Sequence, residues 1–165
     1  MTEADFVVRP PKAAEKEEWA SLFRGYRAFY NLEPDEAVVE RVWSWIHDPH
    51  HDSRALVAVD GGDKLVGLAH FRAFARPSTG SIGTWLDDLF TTPDTRGRGV
   101  GRLLLDSVTH LSREDGRSAV RWITAADNAT AQGLYDAVAK RTTWLMYEAT
   151  LTYTRPGRGV RPHAS

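Results

Sequence analysis

Cysteine is absent from this 165-residue chain. That excludes a thiolate nucleophile, a Cys-based zinc site and any disulfide framework. It also excludes acyl transfer through an acyl-cysteine intermediate. Net charge is almost absent as well, since 21 Lys and Arg against 22 Asp and Glu leave −1. Phosphate binding draws on surplus Lys and Arg, so nucleic acid is not an expected partner. No apolar run approaches the roughly 20 residues that span a bilayer. Met1 to Arg9 carries acidic residues and no apolar stretch, so neither a membrane segment nor a secretory leader is expected. The expectation is a soluble, cytoplasmic protein. What is present suits a packed domain: 42% of residues are hydrophobic, in a chain long enough to bury about 70% of its unfolded surface without a metal or disulfide.

Val7 to Arg9 before Pro10-Pro11 reads as an opening strand. Trp19, Leu22, Phe23, Tyr26 and Tyr30 form a helical stripe, broken near Pro34. A second helix follows an N-cap at Asp35, with Val38, Val42, Trp45 and Ile46 on one face. Arg54 to Asp60 and Lys64 to Phe74 read as strands joined by the Asp60-Gly61-Gly62-Asp63 turn. After a loop at Arg76 to Gly83, Thr84 to Thr91 is a strand. The next helix buries Val100, Leu104, Ser107, Val108 and Leu111, with Leu103 beside them. A strand at Ser118 to Thr124, a helix at Asn128 to Ala139 and a strand at Trp144 to Thr152 complete the pattern. The order β-α-α-β-β-β-α-β-α-β predicts an α/β (α+β) fold with a mixed sheet, antiparallel at the hairpin and parallel in the second half. One domain over 1–154 is expected, followed by a loose basic tail at 155–165.

The most informative stretch is Asp94-Thr95-Arg96-Gly97-Arg98-Gly99-Val100-Gly101-Arg102, between a strand and a helix. A helix N-terminus leaves amides unpaired and carries partial positive charge, which suits an anion. Glycines let the backbone approach it, and arginines add charge-assisted contacts. The chemistry indicated is pyrophosphate binding; the alternative is an Arg/Gly turn that merely starts a helix. Gly101 is followed by Arg102 and Leu103, not Lys and Ser or Thr, which rules out a P-loop. Arg102 also stands where a dinucleotide fingerprint needs its third glycine.

Arg96, Gly99 and Gly101 match the R/Q-x-x-G-x-G/A signature of the GNAT N-acetyltransferase superfamily. Leu86-Asp87-Asp88-Leu89-Phe90-Thr91-Thr92-Pro93 is similar to the Leu-Glu-Asp-Leu-Tyr-Val-x-Pro strand before that loop, and Asn128 with Tyr135 matches a later Asn-x₆-Tyr helix. The resemblance covers most of residues 6 to 153. It is nearest to the diamine and yeast Hpa-type branch, through Phe23-Arg24-Gly25-Tyr26 and Trp122-Ile123-Thr124.

That resemblance implies the GNAT fold, a central mixed, mostly antiparallel sheet flanked by helices, and acetyl-CoA as cosubstrate, with a small-molecule or peptidyl amine as acceptor, no metal, and a homodimer. It makes Asp87 the general base, in place of the family's Glu, and Tyr135 the general acid. It gives the pantetheine arm Leu89, Phe90, Thr91 and Asn128, and the pyrophosphate Arg96, Gly97, Arg98, Gly99, Val100, Gly101 and Arg102. In such enzymes strands four and five splay apart to admit the coenzyme. Tyr26, Tyr30 and Glu33, with Asp87, would face the acceptor. Lys140 to Trp144 departs from the Gly-Phe pair of many relatives. Each residue also has a plain alternative: solvated carboxylates at 87 and 88, a packing tyrosine at 135, an N-cap at 128. Alternation along a strand would send Asp87 and Asp88 to opposite faces. His47, His50 and His51 read as a solvated loop, and His70 as core or pocket wall. A degenerate domain that binds acyl-CoA without turnover is the competing function.

Overall fold

A computed structural model describes residues 6–151. Through Asn128 the chain forms one compact unit, and Ala129 onward forms a second. The first unit holds β1 (Phe6–Arg9), α1 (Lys16–Phe29), α2 (Glu36–His47), β2 (Ser53–Asp60), β3 (Leu65–Arg76), β4 (Ser81–Thr91), α3 (Val100–Glu114) and β5 (Val120–Arg121). Its sheet runs in the order β1-β2-β3-β4-β5. The first four strands pair antiparallel and β5 joins β4 in parallel.

Local chemistry explains the punctuation. Asp35 accepts the Val38 amide and starts α2. Asp60 Oδ1 accepts the amides of Gly62 and Lys64, closing the β2–β3 hairpin. Only a short turn at Pro77–Thr79 separates β3 from β4. The loop expected at Arg76 to Gly83 is thus half strand, because both strands keep pairing to Arg76↔Ser81.

Trp19, Leu22 and Phe23 of α1 and Val39 of α2 pack on Val57, Val59, Leu68 and Phe90 of the sheet. Each such side chain, fully buried, contributes about 1.5–3 kcal/mol. The other face carries α3: a Cβ on Gly67, next to Leu68 in β3, would lie 2.9 Å from Val100 and 3.0 Å from Leu104. The buried face of α3 is Val100, Leu104, Leu105, Val108 and Ser112. This corrects the expected face, since Leu111 is 40% exposed. Ser112 replaces it because its Oγ lies 2.8 Å from buried Thr84 Oγ1 and 2.7 Å from the Val108 carbonyl.

Two strand expectations need correction. β5 spans Val120–Arg121 instead of Ser118 to Thr124. Its bonds to β4 run from Ser118 N–H on Ile82 C=O to the Arg121 pairing, where the described register between them ends. In the second unit, α4 (Ala129–Val138) forms as expected. The strand expected from Trp144 does not: within 142–151 the chain is irregular, and Trp144, Leu145, Met146 and Tyr147 are exposed. An isolated strand leaves its main-chain groups without ladder partners, so apolar sequence alone cannot hold it. Thr152 and the tail at 155–165 lie outside the described residues.

Near the N-terminus Arg9 grips Glu15 through two bonds of 2.9 and 2.6 Å, and the Lys12 amide adds a third. These donors hold the Glu15 carboxyl down at about 2. Such a carboxylate stabilises the fold above its unfolded pKa near 4.5, and the contribution is lost as pH falls toward 2. Glu15→Gln should therefore lower the unfolding free energy at pH 7 by about 1 kcal/mol. The difference should vanish in denaturant titrations near pH 2.

Candidate active site

The site is organised by one extra residue. From Gly67↔Thr91 to His70↔Asp88 the β3–β4 ladder is regular, and then Phe71 pairs with Leu86. Asp87 is left over as a bulge. Before the bulge, the Thr84 amide donates to Ala119 on the β5 side. After it, the Thr92 amide donates to Val66 on the β3 side. The parity of the strand has slipped, so Leu89 and Thr91 turn their main-chain groups away from β3. Among the described residues, strand pairing on that side ends at Trp85↔Arg121. No described strand pairs with that edge of β4 from Leu86 onward, although the Thr91 carbonyl accepts from Arg96.

The bulge also gathers the carboxylates. Arg72 Nε lies 3.1 and 3.3 Å from the two Asp87 oxygens, and His70 Nδ1 lies 2.8 Å from Asp88 Oδ2. His70 and Arg72 are two apart in β3 and share a face. Asp87 and Asp88 consequently meet the same face, which corrects the expectation that they point apart. Burial pushes the Asp87 carboxyl above its ordinary value; Arg72 opposes this and the Asp88 charge reinforces it. Tyr26, from α1, feels both carboxylates. Burial first, and then Asp88, makes its phenol hold its proton more tightly than a free tyrosine. Arg72 also sits 5.9 Å over the Trp85 ring.

At the end of β4, Thr95 is buried and its hydroxyl lies 2.6 Å from that of Thr92. The chain then turns through Gly97 at φ 77° and Gly99 at φ 83°, conformations that cost other residues about 1–2 kcal/mol. Gly99 is the N-cap of α3 and supplies no side-chain cap. The amides of Val100, Gly101 and Arg102 precede the first intrahelical bond, from Leu103 N–H to Gly99 C=O. The arginines are otherwise engaged. Arg96 donates to the Thr91 carbonyl and lies over Phe29 and Phe90. Arg98 lies over Phe6, and Arg102 pairs with Asp106. Anion binding at this turn falls first to main-chain amides.

The remaining candidates are less concentrated. The Tyr30 ring lies tilted 5.0 Å from that of Tyr26 and is partly exposed. Glu33 lies in the α1–α2 turn, where its carbonyl accepts from Arg27. Asn128 closes the first unit, its amide on the Ala125 carbonyl. Tyr135 belongs to α4 in the second unit. His47 lies tilted against Trp43 and His51 stacks on Trp45, and no group of three metal-type ligands occurs among the described residues. No described helix is long and apolar enough to cross a membrane. Sequence reasoning missed the roles of Asp88, Arg72 and Trp19. The signal available was Arg72 two residues after His70, which predicts one face but not its partners.

Comparison with known proteins identifies the family and the fold. Residues 17–139 match the acetyltransferase (GNAT) family. A Saccharomyces cerevisiae protein, D-amino-acid N-acetyltransferase HPA3, is 29% identical over 150 residues, covering 90% of this chain and 92% of its own. Ribosomal-protein-alanine N-acetyltransferase from Brucella melitensis biovar Abortus 2308 has the same fold at TM-score 0.74, with 23% identity over 88% of this chain and 99% of its own. So does AAC(6')-Iy, solved with a CoA-S-monomethyl-acetylneamine bisubstrate analogue, at TM-score 0.73, 17% identity and coverage of 89% and 99%.

Proposed function

The chain belongs to the acetyltransferase (GNAT) family, and on that premise we propose that it moves the acetyl group of acetyl-CoA to a primary amine by direct attack in a ternary complex. The observation that carries the proposal is the edge at Leu89 and Thr91 that no described strand pairs, running directly into the uncapped, glycine-turned start of α3. The residues present fit the coenzyme. Amides from Arg96 to Arg102 would hold its diphosphate. Main-chain groups of Leu89 and Thr91, beside Phe90, would pair with its amide-bearing arm, and Asn128 would add a side-chain contact. Bound there, acetyl-CoA supplies an activated thioester carbonyl.

The protein must then handle protons. An alkylamine near pKa 10 arrives as an ammonium and attacks only after losing a proton. Asp87 is the base in this reading: it is half-buried and holds a proton better than an ordinary aspartate, through desolvation and the neighbouring Asp88. Its short side chain favours a relay through water. Tyr135 is assigned to protonate the departing thiolate. Tyr26 and Tyr30 offer aromatic faces to the cation, with Glu33 further out. A polyamine, an amino acid and a peptidyl lysine all fit an amine-selective site. The yeast relative, by its name, acts on D-amino acids, and Arg72 beside Asp87 would suit an amino-acid carboxylate. The same ion pair favours the second reading, acyl-CoA binding without turnover, because it occupies the proposed base. A cytoplasmic homodimer completes the proposal, since Trp144 to Tyr147 present an apolar run that association would bury.

Free-thiol release from acetyl-CoA across polyamines, amino acids and lysine peptides is the direct test. Asp87→Asn and Tyr135→Phe should each lower turnover at least about tenfold, a barrier of about 1.4 kcal/mol, with coenzyme affinity unchanged by calorimetry. Tight acetyl-CoA binding without thiol release from any amine would support the non-catalytic reading. Arg72 holds the Asp87 carboxyl down. Arg72→Gln should therefore move the acid limb of kcat/KM to higher pH; an unmoved limb would assign it to another group.

A further inference from the structure

Trp19 and His70 lie behind the two carboxylates and have no part in the chemistry above. Trp19 is fully buried and donates its indole Nε1–H to His70 Nε2 at 3.0 Å. His70, 4% exposed, reaches Asp88 Oδ2 through Nδ1 at 2.8 Å. An indole nitrogen only donates, so Nε2 must accept. The one ring proton of a neutral imidazole is then on Nδ1, and it is donated to Asp88. An imidazolium would have no lone pair for Trp19. Both nitrogens are committed, so His70 cannot take a proton from substrate while this arrangement stands. The ring is also clamped, with Phe23 edge-on at 5.1 Å. The Asp88 side chain is 20% exposed, is bonded by the Tyr26 phenol and adds its charge beside Asp87.

We propose that His70, locked by Trp19 as the Nδ1–H tautomer, is a positioning residue that holds Asp88 where the acceptor amine meets it beside Asp87. The usual order is inverted: here an imidazole orients a carboxylate. The role rests on the acetyl-transfer reading. It also explains why a histidine occupies an otherwise apolar stretch of β3, where a bare Leu would pack but leave the Trp19 and Asp88 groups without partners.

Two variants separate positioning from packing. By bond count, His70→Asn puts an amide nitrogen where Nδ1 was, and His70→Gln puts its amide where Nε2 was. Asn should keep the donor to Asp88 and the acceptor KM within about threefold of wild type. Gln should satisfy Trp19 only and raise the acceptor KM at least about tenfold, the cost expected for a lost charge-assisted bond. The acetyl-CoA KM should not change in either. The acceptors used are spermidine, D-phenylalanine and a lysine peptide. Nitrogen-15 NMR of wild-type His70 should show the proton on Nδ1. A proton on Nε2, a Gln variant with wild-type acceptor KM, or losses in both variants that simply follow thermal stability would overturn the role. Wild-type protein that releases no thiol with all three acceptors would overturn the acetyl-transfer reading and this role with it.

Discussion

A single unpaired residue, Asp87, sets the geometry on which the site depends. Without the bulge, parity along β4 would be continuous, and Leu89 and Thr91 would direct their main-chain groups to β3. The slip turns them outward at the level where β5 has stopped pairing. It also cancels the alternation that would separate Asp87 from Asp88. One local irregularity thus creates both an edge that no described strand pairs and a pair of carboxylates beside it. Bulges of this kind re-aim side chains at functional sites.

The packing that supports this arrangement is the protein's own core. Trp19 belongs to the cluster that joins α1 and α2 to the sheet, yet its indole nitrogen terminates the His70–Asp88 chain. The same residue therefore contributes hydrophobic burial and fixes a tautomer. Loss of such a side chain costs about 3–5 kcal/mol in a packed core, so its orientation is strongly held. On the opposite face, α3 is seated by Val100 and Leu104 against Gly67, which sets the glycine turn directly after the β4 edge.

Much of the fold was legible in sequence because the signals were local. The Asp35 cap, the Asp60 turn and the stripe from Trp19 to Tyr26 each act within a few residues. The glycines at 97 and 99 were equally legible as a backbone requirement, and both take positive φ. Non-local properties were not. Asp87 looks like any strand residue until β3 declines to pair with it. The Trp19–His70 bond joins residues 51 apart. Ser112 outcompetes Leu111 for the buried face of α3 because of a partner on β4. Trp144 to Tyr147 have strand composition, but composition does not supply an edge to pair with.

On the proposed function, the outward parity of Leu89 and Thr91 receives the coenzyme arm and delivers its diphosphate to the turn at Gly97 to Gly101. A crystal structure of the complex with coenzyme A tests it most directly. The arm's amide groups should be bonded to the main chain of Leu89 and Thr91, and the diphosphate should lie against the first amides of α3. Coenzyme bound elsewhere, or a β4 edge with its bulge absent and Leu89 paired to β3, would contradict the account.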